Sequence, residues 1–319
     1  MPAAKFGRGL KVRRNPKVVV CAYHNVGFRC LAELLRQGAR VEAVFTHEDS
    51  PTEEIWFSSV RELAEREGIP CLVSDVNLPE NEEFLRALEP DFLFSFYYRL
   101  MIRKGILAIP TYGALNLHGS FLPKYRGRVP VNWVIINGET ETGATLHYMV
   151  EKPDAGDIVD QEKVFIEFTD TAHDVFSKVT DAAERVIARS WPLLRAGRAA
   201  RIPMALAEGS YFGGRKPADG LIDWNRPSVE IYNLIRGVTH PYPGAFTFLE
   251  GRKVFVWQAW PVSGQGRAGE IVSDRPLRVG TGDGLLEIRS LQVEPGQEQD
   301  PAEFAGSHSL AGKRFGPPL

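Results

Sequence analysis

Three residues near the middle of the chain have side chains suited to a reaction centre. Asn116 and His118 are two positions apart at the end of a strand-like run, and Asp154 follows in a turn between Pro153 and Gly156. Residues two apart on a regular strand point to the same face of the sheet. An amide N–H can stabilise an oxyanion, and an imidazole can move a proton near neutral pH. On spacing alone, however, an aspartate in a turn is more often a structural cap.

The framework for these residues is predicted by alternating strand and helix patterns from residue 17 onward. Apolar runs that predict strands occur at 17–22, 41–45, 70–73, 91–96 and 113–117. The helical patterns between them predict a parallel α/β sheet with right-handed crossovers. Ligands of such sheets bind beyond the carboxyl ends of the strands. The polar or glycine-containing segments that fall there are 23–27, 97–99 and 117–120.

The pattern changes in the last third of the chain. A strand pattern at 142–150 and an amphipathic helix over about 171–194 precede a stretch rich in glycine, proline and charge at 195–220. Several short strand patterns follow, which predicts a small β-barrel of the OB type. We therefore expect a flexible leader over 1–16, a catalytic domain over 17–205, a small β-barrel domain over 206–300 and a flexible tail over 301–319.

Composition narrows the class of protein. The net charge of −2 and the pI of about 6.4 argue against a nucleic-acid partner. We expect a cytoplasmic protein without a membrane partner, because no run approaches about 20 apolar residues and the basic N-terminus lacks a signal-peptide core. Cys21, Cys30 and Cys71 form no CxxC motif and predict buried small hydrophobes. We expect no metal, and we interpret the isolated His24 and His147 as packing or surface residues.

Residues 116–133, NLHGSFLPKYRGRVPVNW, resemble the signature of the N10-formyltetrahydrofolate-dependent formyltransferases. Residues 137–143 and 154–156 also match, and the resemblance extends from residue 17 to about 260. It implies a Rossmann-like catalytic domain that transfers a formyl group from N10-formyltetrahydrofolate to a primary amine through a tetrahedral intermediate. In this family the residue matching His118 moves the proton, the one matching Asn116 stabilises the oxyanion, and the one matching Asp154 favours the protonated imidazole.

Within the family, the chain most resembles the formyltransferase domain of the bifunctional polymyxin-resistance enzyme ArnA. Residues 22–24, 94–99 and 124–128 carry this finer match. It implies UDP-4-amino-4-deoxy-L-arabinose as the acceptor and a role in lipid A modification. That enzyme also has a dehydrogenase domain, which this sequence lacks. A related UDP-amino sugar, made by another enzyme, is therefore an open alternative.

The resemblance also implies which residues bind the two substrates. Folate contacts are expected at Leu100, Met101, Ile102, Arg128, Val150, Glu151, Lys152, Pro153 and Asp154. Contacts with the sugar nucleotide are expected at Tyr98, Tyr125 and Arg215, with Arg215 on the pyrophosphate. Core packing is the alternative for residues 100–102, and a solvated linker charge is the alternative for Arg215.

Two other functions stay open at this point. A methionyl-tRNA formyltransferase would keep the chemistry, but such enzymes usually carry Trp and a small residue where this chain has Tyr125 and Arg128. A non-catalytic nucleotide-binding protein on a Rossmann-like scaffold is the second alternative. Against it, no GxGxxG motif follows the first strand, where residues 23–27 read Tyr-His-Asn-Val-Gly. The sugar, the nucleotide base and the presence of a homo-oligomer are left undetermined.

Overall fold

The computed structural model describes residues 12–51, 54–306 and 310–316. They form two compact units. The first, the catalytic unit, comprises the described residues up to Pro130 together with Thr142–Phe165 and Ser177–Phe212. The second unit comprises Val131–Glu141, Ile166–Phe176 and the described residues from Gly213 onward. The two units alternate along the chain, whereas the predicted domains were consecutive.

The catalytic unit is built on a sheet with helices between its strands. Its strands are β1 (Lys17–Ala22), β2 (Arg40–Thr46), β3 (Cys71–Val73), β4 (Phe92–Phe96), β5 (Ala114–His118), β6 (Arg126–Gly127), β7 (Glu141–Tyr148), β8 (Ile158–Phe165) and β9 (Tyr211–Phe212). The helices up to residue 195 are α1 (His24–Arg36), α2 (Val60–Arg66), α3 (Pro79–Leu88), α4 (Lys104–Leu107), α5 (Pro130–Ile136) and α6 (Ala172–Arg195). Helix α5 lies mostly in the second unit, and α6 begins there.

The strand order in the main sheet of this unit is β3-β2-β1-β4-β5-β7-β8. Strands β1 to β5 pair in parallel, and β7 runs antiparallel to β5. The predicted Rossmann-like α/β fold is therefore confirmed, with an antiparallel extension that the alternating pattern did not predict. The order reverses between β1 and β4, which is the position where such sheets leave a crevice at the carboxyl ends.

Burial explains why the apolar runs form strands. Most of β1 and all of β4 are buried, as expected for strands covered on both faces. Trp191 of α6 packs edge-on against Phe92 and Phe94, with ring centroids 5.9 and 6.1 Å apart. The segment 23–27, predicted to lie beyond the carboxyl end of β1, follows that strand and forms the start of α1, which begins at His24.

The second unit contains a curled antiparallel sheet, so the predicted small β-barrel is confirmed as a half-barrel. Its elements are α7 (Ser228–Val238), β10 (Ala245–Leu249), β11 (Arg252–Val262), β12 (Ile271–Asp274), β13 (Leu277–Gly280), β14 (Leu285–Val293), β15 (Glu298–Gln299), α8 (Pro301–Ala305) and β16 (Phe315–Gly316). The strand order is β12-β13-β14-β11-β10-β16, and β15 pairs with β14. The β10–β11 turn holds Glu250 and Gly251, both with positive φ, as a tight hairpin requires.

The predicted flexible ends differ from what is described. Residues 1–11 of the predicted leader, and 307–309 and 317–319 of the predicted tail, lie outside the described residues. The remaining part of the tail forms α8 and β16, and Phe315 is buried in the core of the second unit. Among the described helices, none is long and apolar enough to cross a membrane.

Candidate active site

Strands β5 and β7 place three polar side chains side by side. Asn116 and His118 lie two apart on β5, as predicted, and β7 pairs with β5 so that His147 stands opposite Asn116. Directly opposed residues of an antiparallel pair have neighbouring side chains on one face of the sheet. His147 is only 2% exposed. Its interpretation as an isolated packing or surface residue is corrected, because it belongs to the predicted site.

The Asp154 carboxylate joins these side chains. Oδ1 lies 3.6 Å from Nδ1 of His118, 3.5 Å from Nε2 of His147 and 3.5 Å from Nδ2 of Asn116. Oδ2 accepts a hydrogen bond of 2.9 Å from the Gly127 N–H. The three residues that the sequence singled out are thus brought together, and His147 and the Gly127 amide complete the cluster.

Electrostatics keep Asp154 ionised despite its burial. Burial by itself raises the pKa of this carboxyl, but His118 and the Gly127 N–H hold the pKa well below its ordinary value. These are the opposing effects expected when a buried acid gains cationic and hydrogen-bonding partners. A permanent negative charge therefore lies beside the His118 ring at neutral pH.

The backbone fixes which nitrogen of His118 faces the carboxylate. Nε2 lies 2.8 Å from the Tyr125 carbonyl oxygen. A carbonyl only accepts hydrogen bonds, so Nε2 carries a proton and donates it to Tyr125. Nδ1 then faces the Asp154 carboxylate, 3.6 Å from Oδ1. His118 is therefore oriented to gain and lose a proton at Nδ1.

His147 has the opposite tautomer. Its Nδ1 donates to the Tyr148 carbonyl at 2.9 Å, which leaves Nε2 as an acceptor 3.3 Å from the Asn116 amide nitrogen. Only the NH₂ side of an asparagine amide can donate, so His147 fixes the direction of the Asn116 side chain. The 3.5 Å separation from Asp154 is long for a hydrogen bond. The second amide hydrogen therefore keeps its capacity to bind an oxyanion.

Close backbone approaches at two glycines hold this arrangement. A Cβ on Gly127, which has φ of +101°, would lie 2.1 Å from the Phe212 carbonyl oxygen. A Cβ on Gly156 would lie 1.9 Å from the Tyr148 carbonyl oxygen, the acceptor for His147. Asp154 itself has a φ of +47°, a conformation that non-glycine residues rarely adopt. Such backbone strain is common where side chains are held for function.

The predicted folate contacts on residues 100–102 have different environments. Leu100 and Met101 are exposed, whereas Ile102 is buried in a core cluster with Val19, Leu93 and others. Ile102 therefore packs in the core, and its contact with the folate stays a prediction. The exposed Leu100 and Met101 leave apolar surface beside the end of β4.

The predicted folate contacts after β7 form an exposed loop. Val150, Glu151 and Lys152 are exposed and Pro153 is half-buried. Lys104 at the start of α4 forms an ion pair of 3.0 Å with Glu151. This pair places the loop next to the segment that follows residues 100–102. Arg128 is also exposed.

The aromatic residues predicted to contact the sugar are engaged within the fold. The Tyr98 hydroxyl donates to the Ser74 carbonyl and accepts from the Val76 N–H, each at 3.1 Å, and burial raises its pKa. The Tyr125 ring is buried and stacks on Phe212 at 4.9 Å. The contribution of Tyr125 that the structure shows is its carbonyl, which orients His118.

Arg215, predicted to bind a pyrophosphate, lies in the second unit. Its guanidinium donates to the Asp219 carbonyl at 2.9 Å and lies over the Trp133 ring, 4.8 Å from the centroid. Burial lowers the pKa of Arg215. Its role in substrate binding stays a prediction.

Comparison with known proteins identifies the family. Residues 26–190 match the formyl transferase family, and residues 215–309 match the formyl transferase C-terminal domain. The chain belongs to the formyl transferase family. The predicted family and the prediction of an enzyme are thus confirmed.

Solved structures share the fold at low sequence identity. One is an N-formyltransferase from Helicobacter canadensis in complex with folinic acid and dTDP-3-aminofucose, with 19% identity, a TM-score of 0.68, and coverage of 89% of this chain and 100% of that chain. A 4-N formyltransferase from Francisella tularensis has 23% identity and a TM-score of 0.63, with 76% of this chain and 97% of that chain covered.

HypX from Aquifex aeolicus in complex with tetrahydrofolic acid is a longer protein with the same fold. The identity is 18%, the TM-score is 0.62, and the match covers 92% of this formyl transferase and 47% of HypX. This chain therefore spans about half the length of HypX.

Proposed function

We propose that this formyl transferase moves the formyl group of N10-formyltetrahydrofolate to the primary amine of a nucleotide-linked amino sugar. The observation that carries the proposal is the buried Asp154 carboxylate shared by His118 and His147, with Asn116 beside them. Proton transfer and oxyanion stabilisation are the two tasks of an acyl transfer to an amine. These side chains can perform both tasks, and none of them has to attack the formyl carbon as a nucleophile.

Each residue has a distinct task in this reaction. His118 takes the proton that the attacking amine loses and returns it to the departing nitrogen, with Nδ1 as the exchanging atom. Asp154 stabilises the protonated ring, and Tyr125 keeps it in position through Nε2. Asn116 donates an amide hydrogen to the oxygen that becomes negative in the tetrahedral intermediate. N10-formyltetrahydrofolate supplies the formyl group when it is bound.

The folate contacts fit the residues that the structure leaves exposed. Leu100, Met101 and Val150 offer apolar surface, and the Lys104–Glu151 ion pair keeps the two segments together. A flat heterocycle suits apolar side chains with a few polar groups around them. We propose that these segments, with Arg128 and residues 151–154, bind the folate, and that Ile102 contributes from the core.

An amino sugar is the acceptor favoured by two observations. Solved structures with the same fold include an enzyme holding dTDP-3-aminofucose and a 4-N formyltransferase. Tyr125 and Arg128 occupy positions where methionyl-tRNA formyltransferases usually carry Trp and a small residue. Our more specific proposal is UDP-4-amino-4-deoxy-L-arabinose or a related UDP-amino sugar, which would place the reaction in lipid A modification. Tyr98, Tyr125 and Arg215 stay the proposed sugar-nucleotide contacts.

An acceptor panel tests this proposal. Purified protein with N10-formyltetrahydrofolate would be offered UDP-4-amino-4-deoxy-L-arabinose, dTDP-3-aminofucose and initiator methionyl-tRNA, and the formylated product would be measured by mass spectrometry. Formylation of a sugar nucleotide is the expected result, and the preferred sugar identifies the substrate. Formylation of the tRNA alone would contradict the choice of acceptor.

A further inference from the structure

We propose that Arg126 is an anion-binding residue next to the catalytic cluster. It would hold a phosphate or carboxylate group of a bound substrate. The proposal rests on the proposed function for the identity of the substrates. Arg126 is only 8% exposed. Its Nε and Nη1 atoms are buried and have no hydrogen-bond partner among the described residues. No ion pair joins it to a carboxylate in the described part of the chain.

A buried arginine whose N–H groups lack acceptors requires an anionic or hydrogen-bonding partner. The guanidinium group remains charged at all physiological pH values. A buried charge without a counter-ion or hydrogen bonds destabilises a fold, so buried arginines are normally paired. The missing partner of Arg126 is therefore expected to come from outside the chain.

The position of Arg126 ties it to the reaction centre. It stands between Tyr125, whose carbonyl accepts from His118, and Gly127, whose N–H donates to Asp154. Its own N–H donates to the Ser210 carbonyl at 3.0 Å, which holds this short strand in place. An anion bound by Arg126 would thus be attached to the same segment that orients the catalytic side chains.

The Asp154 carboxylate in the reaction centre is already engaged by other groups. Asp154 faces His118, His147 and Asn116 through Oδ1 and the Gly127 N–H through Oδ2. Asp154 therefore serves the catalytic side chains and forms no ion pair with Arg126.

Oxyanions are the ligand class that the guanidinium recognises best. Its planar fork matches carboxylate and phosphate oxygens with two parallel hydrogen bonds. Both proposed substrates carry such groups: the nucleotide sugar has a diphosphate, and the folate has glutamate carboxylates. Lys124 and Arg128, two positions to either side, are exposed and form no ion pair with a described residue.

The test uses Arg126→Met, which keeps an unbranched apolar stem and removes the charge. Lys124→Met is the matched control for an exposed cation on the same segment. Thermal unfolding would be measured without ligand, and binding of inorganic pyrophosphate, UDP and folinic acid would be measured by calorimetry. We expect Arg126→Met to unfold at a temperature equal to or above that of the wild type. We also expect it to bind one of these anions about tenfold or more weakly, with Lys124→Met close to the wild type.

The outcomes separate the sources of the anion. Loss of pyrophosphate and UDP binding assigns the site to the diphosphate, and loss of folinic acid binding alone assigns it to the folate carboxylates. The proposal is overturned if Arg126→Met lowers the unfolding temperature and leaves the affinity for every probe unchanged. It is also overturned if the wild type binds none of the probes. Anion binding through Arg126 in a protein that formylates no amino sugar would contradict the proposed function instead.

Discussion

Two buried arginines, one in each unit, have opposite surroundings. Arg236 in α7 is 6% exposed and Arg126 in β6 is 8% exposed. Arg236 donates to the Asn233 side chain at 2.9 Å and to the Asp170 and Glu167 carbonyls at 2.7 and 3.1 Å. The Nε and Nη1 atoms of Arg126 have no such partners among the described residues.

The difference separates a structural group from a binding group. Where the second unit supplies three hydrogen bonds to a buried guanidinium, that charge helps to hold the unit together. Where the catalytic unit leaves a buried charge without partners, its hydrogen-bonding capacity is available to a ligand. The comparison predicts that variants near Asp154 change activity more than stability, and that variants around Arg236 do the reverse.

The largest effect is expected for His118→Asn. This change removes the proton-transfer group, and general acid–base catalysis contributes about 10²–10⁴-fold to a rate. We therefore expect kcat to fall by about that factor, whereas the affinity for folinic acid and the unfolding temperature stay near those of the wild type. Steady-state kinetics and calorimetry measure both quantities. Turnover near that of the wild type would remove His118 from the reaction.

Two asparagine variants compare the units directly. Asn116→Ala should lower kcat by about 10²–10³-fold, because it removes an oxyanion donor. Asn233→Ala should keep kcat but lower the free energy of unfolding by about 1–3 kcal/mol, since it takes a partner from a buried charge. For both variants, steady-state kinetics give kcat and urea unfolding gives the free energy of unfolding. Similar losses of stability with unchanged kcat in both variants would contradict the distinction between the two units.

Arg236→Met should destabilise the protein by about 1–3 kcal/mol, because the Asp170 and Glu167 carbonyls lose their donor. Arg126→Met should not. Urea unfolding of the ligand-free proteins compares the two substitutions at equal side-chain volume. Equal losses of stability would mean that Arg126 is also a structural residue.

His147 should show a smaller effect, because it acts through Asn116 as a positioning residue. His147→Leu removes an acceptor of one hydrogen bond and should lower kcat by about three- to tenfold with little change in KM. His147→Gln restores an acceptor and should recover part of the loss. A purely structural role would lower stability in both variants without the recovery of kcat by glutamine.

The last prediction concerns pH and the stability contributed by Asp154, because its favourable contacts outweigh the cost of burial and lower its pKa. The pKa of Asp154 is lower in the folded than in the unfolded protein, so its contribution is present above the ordinary aspartate pKa of about 3.9 and is lost as the pH falls below it. Chemical unfolding between pH 7 and pH 2 should therefore show that the stability difference between the wild type and Asp154→Asn shrinks below about pH 4. A difference that grows on acidification would contradict this sign.

Local patterns predicted much of the fold, whereas the resemblance to the formyltransferases brought Asn116, His118 and Asp154 together as a site. Apolar runs located β1, β2, β4 and β5, because buried parallel strands are apolar on both faces. The separation of two between Asn116 and His118 predicted their shared face. Contacts that depend on pairing between distant segments were not predictable. The strand pattern at 142–150 was visible, but its antiparallel register, which places His147 opposite Asn116, was not.

The contributions of backbone groups to the site could not be predicted from the sequence either. The Tyr125 carbonyl orients His118 and the Gly127 N–H binds Asp154, and neither group depends on the side chain that the sequence shows. Tyr125 and Tyr98 were singled out for their rings, yet the Tyr125 ring stacks on Phe212 and the Tyr98 hydroxyl is engaged by Ser74 and Val76. The tail pattern after residue 300 was polar, but buried apolar residues, among them Ala305, Leu310 and Phe315, pack it into the core of the second unit.

The central claim, formyl transfer to the amine of a sugar nucleotide, is tested most directly by the rate of tetrahydrofolate release. Purified protein with N10-formyltetrahydrofolate would receive an amino sugar nucleotide, or the same sugar nucleotide with a hydroxyl in place of the amine. We predict release with the amine, at a rate that His118→Asn reduces strongly, and no release above background with the hydroxyl compound. Equal rates with both compounds, or no amine-dependent release with any UDP- or dTDP-amino sugar tested, would contradict the account.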